Sequence, residues 1–288
     1  MLTVLAPAKL NLTLEVSGKR PDGYHEIRSV FQTVNLYDNL RFQPSQKVTF
    51  QSDMPDWAPQ MSLVSRAVSL LQETLDSTKG ATIEVSKCIP LVSGLGGDSS
   101  DAAAVLRGLN ELWRLGLSHE ELLTLATRLG SDVAFFLHGG TALVTGRGEV
   151  VTPLPPLPQR WVVLVVPTIP RLPGKTGQLY ASLNVSHFTD GQITERAVTE
   201  VKENRVPTEL FNAFENTAFT YFSELKVYRD HIKKLGADNV HLAGSGPALF
   251  SLLKDKDQAE ALHTRCRQQK MVTYLTETMS GHHLTGNT

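Results

Sequence analysis

An α+β fold is what this sequence predicts, and three observations carry the prediction. Strand-like stretches come first and helical ones follow, without the steady βαβ alternation of a parallel sheet. A proline run, Pro153-Leu154-Pro155-Pro156-Leu157-Pro158, interrupts the chain and can enter neither a helix nor a central strand. The composition, 41% hydrophobic and 20% charged over 288 residues, belongs to a globular chain able to bury one large core or two medium ones. The proline run reads as a stiff connector between an N-terminal domain at 1–152 and a C-terminal domain at 160–288. The alternative, a polyproline ligand for an SH3-type module, suits a position between two folded halves less well.

The elements follow in order. Leu10, Leu12, Leu14 and Val16 alternate with Lys9, Asn11, Thr13 and Glu15, a period of two that gives a strand one apolar and one polar face. Pro7 places the start of that strand at an edge or a bulge, where a missing N–H is tolerated. Asp22-Gly23 marks a turn, and Ile27 to Val34 reads as a second strand. Helical spacing runs from Leu63 to Leu75, and Ala81 to Val85 is strand-like. Ala102, Val105, Leu106, Leu109, Leu112 and Trp113 keep helical spacing after the candidate caps Ser99, Ser100 and Asp101. Ser118-His119-Glu120-Glu121 is a capping box for a helix ending at Leu129-Gly130, and Ser131 can cap a short helix beginning at Asp132. Past the prolines, Trp161 to Val166 is strand-like, and Phe211 to Leu225 and Asp257 to Arg267 look helical. Val240 to Leu242 and Leu249 to Leu253 are the remaining strand candidates.

Several function classes drop out early. Lys and Arg total 28 against 29 Asp and Glu, so the net charge of −1 argues against a general nucleic-acid or membrane-surface binder. Cys88 and Cys266 lie far apart, with no CxxC pair and no Cys/His ligand spacing, so neither a zinc site nor a disulfide framework is expected. The apolar run from Trp161 to Pro167 is far short of a membrane span, and the strand-like start at Thr3 to Leu5 lacks the layout of a signal peptide. A cytoplasmic protein is the expectation, in which the sequons at Asn11 and Asn184 are chance matches. His282 and His283 read as part of a polar tail rather than as metal ligands.

Three segments carry chemistry. The most informative is Pro90-Leu91-Val92-Ser93-Gly94-Leu95-Gly96-Gly97-Asp98-Ser99-Ser100-Asp101-Ala102-Ala103-Ala104. Its glycines let backbone N–H groups converge, and it feeds a helix whose positive end favours phosphate oxygens. The alanines let that helix lie close to a sheet. Neither the Rossmann fingerprint nor the Walker A loop fits: Ser99 stands where the former needs glycine, and Ile169 where a Gly174-Lys175-Thr176 ending would need one. The second segment centres on Asp132, an acid at the first turn of a helix followed by the apolar run Val133-Ala134-Phe135-Phe136. Dipole compensation accounts for an acid there, but beside a transferred phosphate it could accept a hydroxyl proton. Lys9 and Asn11, on one strand face, are either solvated or line a cleft. The third segment is Ala243-Gly244-Ser245-Gly246-Pro247-Ala248, a tight turn between strands that can bring backbone close to a ligand.

In this order the three segments resemble the GHMP kinase superfamily, which includes galactokinase, homoserine kinase and mevalonate kinase. Ala6-Pro7-Ala8-Lys9-Leu10-Asn11-Leu12 together with Arg20-Pro21-Asp22-Gly23-Tyr24-His25 narrows the resemblance to the cytidine-linked kinases of non-mevalonate isoprenoid biosynthesis. The likeness runs from Leu5 to Phe250. It implies a two-lobed α+β fold with ATP and substrate sites in the cleft between lobes. It also implies ATP-dependent phosphorylation of the 2-hydroxyl of a cytidine-diphosphate methylerythritol, with no nucleic-acid or membrane partner. On this resemblance Asp132 matches the family's catalytic base and Lys9 its partner, which favours charge developing at the attacking oxygen. Pro90 to Ser100 matches the ATP phosphate loop, with Mg2+ bridging the phosphates and the Ser100 hydroxyl as a metal contact. Tyr24 and His25 match positions that recognise cytidine. Tyr180, after Thr176, resembles the aromatic residue that closes the other side of the base, and Asn11 contacts substrate near the reacting end. Stacking tolerates any base, so selection for cytosine falls mainly to His25.

Three departures touch nucleotide binding. Asp98 puts a carboxylate inside the phosphate loop, where it repels ATP unless it points away or helps with metal. Ala243 replaces a hydroxyl residue common before Gly-Ser-Gly, and Met61-Ser62-Leu63 stands where relatives often carry Asn-Leu near the adenine. Two rival readings remain: a related kinase for homoserine, a mevalonate derivative or a sugar, and a sensor that binds ATP and a metabolite without turnover. The Asp22-Gly23-Tyr24-His25 pattern disfavours the first, and the Lys9 and Asp132 pair the second.

Overall fold

A computed structural model describes residues 1–55, 57–170 and 174–281. His282 and His283 lie outside the described residues. The first strands are β1 (Leu2–Asn11), β2 (Thr13–Lys19), β3 (His25–Ser45) and β4 (Thr49–Ser52). Then come α1 (Leu63–Thr74), β5 (Gly80–Ser86), α2 (Gly97–Leu112), α3 (His119–Leu129) and α4 (Val133–His138). β6 (Thr141–Gly146) and β7 (Val150–Pro153) complete the part before the proline run. After it lie β8 (Trp161–Val166), α5 (Lys175–Ser182), α6 (Gln192–Lys202), β9 (Phe211–Asn212), α7 (Glu215–Tyr221) and α8 (Ser223–Lys234). The last elements are β10 (His241–Leu242), β11 (Leu249–Leu253), α9 (Lys256–Gln268) and β12 (Val272–Glu277). The predicted α+β class holds.

The 21-residue strand β3 is the spine of the larger sheet: β1, β2, β5 and β6 all pair with it antiparallel. The register of β1 on β3 shifts between Pro7 and Ala8, the bulge that the proline predicts. A second sheet, ordered β10-β11-β8-β12, is built after the proline run. One face of the large sheet is covered by α1 to α4 around Phe42, Leu71, Leu106 and Phe135. α2 lies close because its facing residues are small: a Cβ on Gly108 would stand 2.5 Å from the Phe42 ring.

Expectation and structure differ at four places. The alternating stretch is two strands broken at Leu12, and Lys9 and Asn11 of β1 and Thr13 and Glu15 of β2 are all buried, so its polar face is internal. The cover comes from far along the chain. Thr194 on α6 donates its N–H to Glu15 at 2.6 Å and its hydroxyl to Thr13 at 2.9 Å. α2 begins at Gly97, not after Ser99, Ser100 and Asp101, because Gly96 in the left-handed region (φ 77) turns the chain directly into the helix. Asp132, not Ser131, takes the N-cap position of α4, and its side chain caps nothing. Phe211 and Asn212 are a strand that pairs in parallel with β2 before helix begins at Glu215. Sequence periodicity also passed over α5, α6 and β12.

The proline run is held against the fold: Leu154 donates to the Thr141 carbonyl at 2.9 Å, and Leu157 is buried with Ala197, Val198 and Val201 of α6.

Candidate active site

Lys9 and Asp132 meet at 3.5 Å, brought together by the end of β1 and the start of α4. Their exposures differ in a useful way: the Lys9 side chain is 5% exposed and that of Asp132 31%. The lysine is thus fixed inside while the carboxylate faces the cleft. Lys9 Nζ also donates to Asn11 Oδ1 at 2.8 Å and lies 4.5 Å from the centre of the Phe31 ring. Asn11 is oriented in turn by donating to Ser29 Oγ at 3.1 Å. The Lys9 main-chain N–H donates to Leu95 at 2.9 Å, tying this strand to the phosphate loop.

The glycine-rich loop from Pro90 to Ser100 runs between two cavities. The first, about 630 Å³, is bordered by Lys9, Asn11, Tyr24, His25, Asp132, Thr176 and Tyr180, and by Val92, Gly94 and Gly96 of the loop. The second, about 360 Å³, is bordered by Pro90, Leu91, Ser93, Gly97, Asp98 and Ser99, again with Val92, Gly94 and Gly96. Trp57, Met61 and Ser62 form its far wall, so the Met61-Ser62-Leu63 segment does stand beside it. Leu95 and Ser100 are fully buried behind the loop. Ser100 Oγ has no hydrogen-bond partner among the described residues. The Asp98 carboxylate is exposed and turned onto α1, where it accepts the Leu63 N–H at 3.1 Å. It anchors a helix start there.

The Gly244–Pro247 turn closes over the same loop. Ala248 donates to the Ser93 carbonyl at 3.0 Å, and a Cβ on Gly94 would fall 2.0 Å from the Ala243 carbonyl oxygen. With φ at +88°, Gly94 can be only glycine in this arrangement. A Cβ on Gly244 would stand 3.3 Å from Asn11 Oδ1 and 3.4 Å from Lys9 Nζ, so this turn borders Lys9 and Asn11.

At the other end of the first cavity His25 stacks on Tyr180, ring centres 5.0 Å apart and planes 22° off parallel. A base between two rings needs roughly 7 Å, twice the ~3.5 Å carbon contact. These two rings therefore leave no slot between them, while Tyr24 beside them is exposed. Burial, with Lys19 adding to it, lowers the His25 pKa, so its imidazole is neutral at pH 7 and can both donate and accept. Burial also raises the Tyr180 hydroxyl, helped by Asp132. Thr176 Oγ1 lies 2.8 Å from Ser245 Oγ, joining α5 to the turn.

Sequence reasoning missed several groups here. Arg147 lies over the Tyr24 ring at 5.0 Å. Asn212 Nδ2 donates to the carbonyls of Leu242 and Gly244, at 2.9 and 2.8 Å, and so holds the turn. Lys175 is buried between the two loops. Lys87 sits between Asp38 and Asp101 at 2.5 and 2.6 Å, with both carboxylates fully buried. Asp38 Oδ1 accepts the N–H groups of Cys88 and Ile89, at 2.6 and 2.7 Å, and braces the entry to the phosphate loop. Burial pulls the Lys87 ammonium down, but Asp101 and Asp38 outweigh it and hold it above the ordinary lysine value. Only Lys175 had a signal in the sequence, the Walker-like Gly174-Lys175-Thr176. The Lys87 cluster draws on residues 49 and 14 positions apart, which no local pattern reveals.

Comparison with known proteins agrees with this geometry. The family "GHMP kinases N terminal domain" matches residues 62–140, and "GHMP kinases C terminal" matches residues 197–272. The chain is 49% identical over 280 residues to the 4-diphosphocytidyl-2-C-methyl-D-erythritol kinase of Dehalococcoides mccartyi (strain ATCC BAA-2266 / KCTC 15142 / 195), covering 97% of this chain and 99% of that one. It is 38% identical over 274 residues to the protein of that name from Geobacillus thermodenitrificans (strain NG80-2), covering 92% and 93%. A crystal structure of 4-(cytidine 5'-diphospho)-2C-methyl-D-erythritol kinase superposes with TM-score 0.82 at 34% identity, over 97% of this chain and 100% of the other. A mevalonate kinase from L. major, in complex with R-mevalonate, shares the fold at TM-score 0.70 and 17% identity, over 96% of both chains.

Proposed function

The chain belongs to the 4-diphosphocytidyl-2-C-methyl-D-erythritol kinases of the GHMP superfamily, and we propose that Lys9, Asp132 and the loop from Pro90 to Ser100 carry out its phosphoryl transfer. The reaction is ATP-dependent phosphorylation of the 2-hydroxyl of 4-diphosphocytidyl-2-C-methyl-D-erythritol, a step of non-mevalonate isoprenoid precursor biosynthesis. The observation that carries the residue assignment is the buried Lys9, held by Asn11 and set 3.5 Å from a carboxylate that opens on the cavity bordered by the phosphate loop.

The chemistry follows from that arrangement. Nucleotide occupies the second cavity, with its base end toward Trp57 and Met61 and its phosphates over the N-terminus of α2, whose first N–H groups have no acceptor within the helix. Substrate occupies the first cavity. Its cytosine lies at Tyr24 and His25, and its methylerythritol end reaches Asn11 and Asp132. Asp132 accepts a hydrogen bond from the 2-hydroxyl and takes its proton as the new oxygen–phosphorus bond forms and ADP leaves. Lys9, desolvated and unable to move far, stabilises negative charge on the attacking oxygen. Thr176 and Tyr180 wall the base end. The neutral His25 offers a donor and an acceptor to the cytosine edge, which a purely stacking residue does not.

Magnesium fits this loop modestly. Among the described residues no group of three or more His, Cys, Asp or Glu forms a metal cluster, and the unpartnered hydroxyl of Ser100, buried behind the loop, is the side-chain group that would hold a cation here. When bound, it neutralises charge on the phosphates. We place the enzyme in the cytoplasm with small-molecule ligands only. The free cysteines Cys88 and Cys266 suit a reducing compartment, and no helix among the described residues is long and apolar enough to cross a membrane.

Purified protein with Mg-ATP should convert the cytidine-diphosphate methylerythritol to its 2-phosphate with stoichiometric ADP. Tight substrate binding without ADP release would instead assign the sensor role. Equal turnover of homoserine or mevalonate would overturn the substrate assignment.

A further inference from the structure

Lys175 is a buried cation that the mechanism above leaves without a task. It is the first residue of α5, entered through Gly174 in the left-handed region (φ 66), and it is 7% exposed. Its Nζ donates to the Val92 carbonyl of the phosphate loop at 3.2 Å and to the Gly246 carbonyl of the facing turn. Two of the three ammonium donors are thereby used. Among the described residues no carboxylate pairs with it, and burial alone pulls its pKa down to about 8. Lys9 and Lys87 each have an acidic partner; Lys175 does not.

A clamp between the two loops does not explain this residue. Those loops are already joined by the Ala248 to Ser93 hydrogen bond and by the Gly94 contact with Ala243. A neutral donor would satisfy the two carbonyls without the cost of a buried, uncompensated charge. The missing charge is an anion, and Lys175 borders the cavity that lies beside the phosphate loop.

We propose that Lys175 is a phosphate ligand of the cleft, its Nζ giving a charge-assisted hydrogen bond to a phosphate oxygen held between the phosphate loop and the Gly244–Pro247 turn. The identity of the ligand rests on the kinase reading. Two sources carry such an oxygen: the terminal phosphate of ATP, and the diphosphate bridge of the cytidine substrate. The arriving anion compensates the ammonium charge, holds it protonated to higher pH, and takes none of its existing hydrogen bonds.

The test uses K175M, which removes charge and keeps length, and K175R, which keeps charge. Failure of the parent protein to turn over would sink the kinase reading whatever Lys175 does. With an active parent, calorimetric titration of cytidine, cytidine diphosphate, ADP and a non-hydrolysable ATP analogue separates the two sources. A substrate-diphosphate contact predicts that K175M loses about tenfold or more of the preference for cytidine diphosphate over cytidine. A terminal-phosphate contact predicts the same loss for the ATP analogue over ADP, together with a fall in kcat. K175R should restore most of either loss. At about pH 8.5, in two buffers of different ionisation enthalpy, the parent should take up a proton on binding that K175M does not. The other charged or titratable groups facing this cavity, Lys9, Lys19, Tyr24, His25, Asp132, Arg147 and Tyr180, are common to both proteins, so the difference isolates Lys175. The proposal is overturned if K175M keeps both preferences and kcat within about twofold of the parent. It is equally overturned if K175R is as impaired as K175M and both melt early, the signature of a clamp.

Discussion

Asp132 occupies the N-cap of α4 without accepting a hydrogen bond from that helix, and this idleness leaves its carboxylate available to a ligand. An acid at such a position usually works for its helix. Here its nearest charged partner is Lys9, whose own position is fixed by Asn11, Phe31 and the Leu95 carbonyl. Asp132→Asn keeps the shape and loses the proton acceptor, so kcat should fall by about 10²–10⁴ while KM for the substrate stays within a few-fold. Lys9→Met should likewise act on kcat, since the charge it stabilises develops only during transfer. Single-turnover rates at saturating ATP check both; a D132N rate close to the parent's would remove Asp132 from the role of base.

The loop from Pro90 to Ser100, proposed to bind phosphate, owes its shape to groups on both sides of it. Before the loop, Asp38 holds the Cys88 and Ile89 N–H groups while Lys87 joins Asp38 to Asp101 on α2. Beyond it, Gly96 turns the chain into α2. Lys87→Ala would strand two buried carboxylates beside each other, at a cost of about 3–5 kcal/mol in unfolding free energy. Burial already drives the Asp101 carboxyl above its ordinary value, and removing the ammonium drives it further. The folded variant then binds more protons than the unfolded chain above the ordinary carboxyl range, so its deficit against the parent should shrink as pH falls. Chemical denaturation at a series of pH values reads this directly; a deficit independent of pH would mean that the carboxylates repel little. This element also marks the limit of reading a sequence. The glycines and the capping box at Ser118 are local signals that produced their elements, while the alternation from Lys9 to Val16 gave extended chain that breaks at Leu12 into β1 and β2. Burial of Glu15 under Thr194, and the Lys87 cluster, depend on partners brought from elsewhere. In both, a charged or polar residue that looks solvent-facing in isolation is internal. Asp98 is the reverse, an acid that looks hostile to phosphate and, at the edge of the second cavity, gives one carboxylate oxygen to the start of a neighbouring helix.

Across the whole molecule, the proline run separates two stretches of sequence more sharply than it separates two bodies. Leu14, Val16 and Ile27 pack with Val163, Phe214 and Leu225, and Ala8, Leu10 and Ile89 with Val162, Leu164 and Phe250. Leu12 and Val30 pack with α6. Residues 1–152 expressed alone should therefore expose the β2 side of the sheet and lack near-ultraviolet circular dichroism, with recovery on adding residues 153–288. A cooperative melt of the isolated piece would contradict this. The shared architecture has a further consequence at the two cavities. Val92, Gly94 and Gly96 border both, so the floor of one is the ceiling of the other. Any shift of these three residues on filling one cavity changes the free energy of filling its neighbour. Thermodynamic linkage then requires reciprocity: the factor by which nucleotide alters affinity for the cytidine compound equals the factor in the opposite direction. Whichever ligand arrives first, its effect on the second passes through the same three residues of one loop.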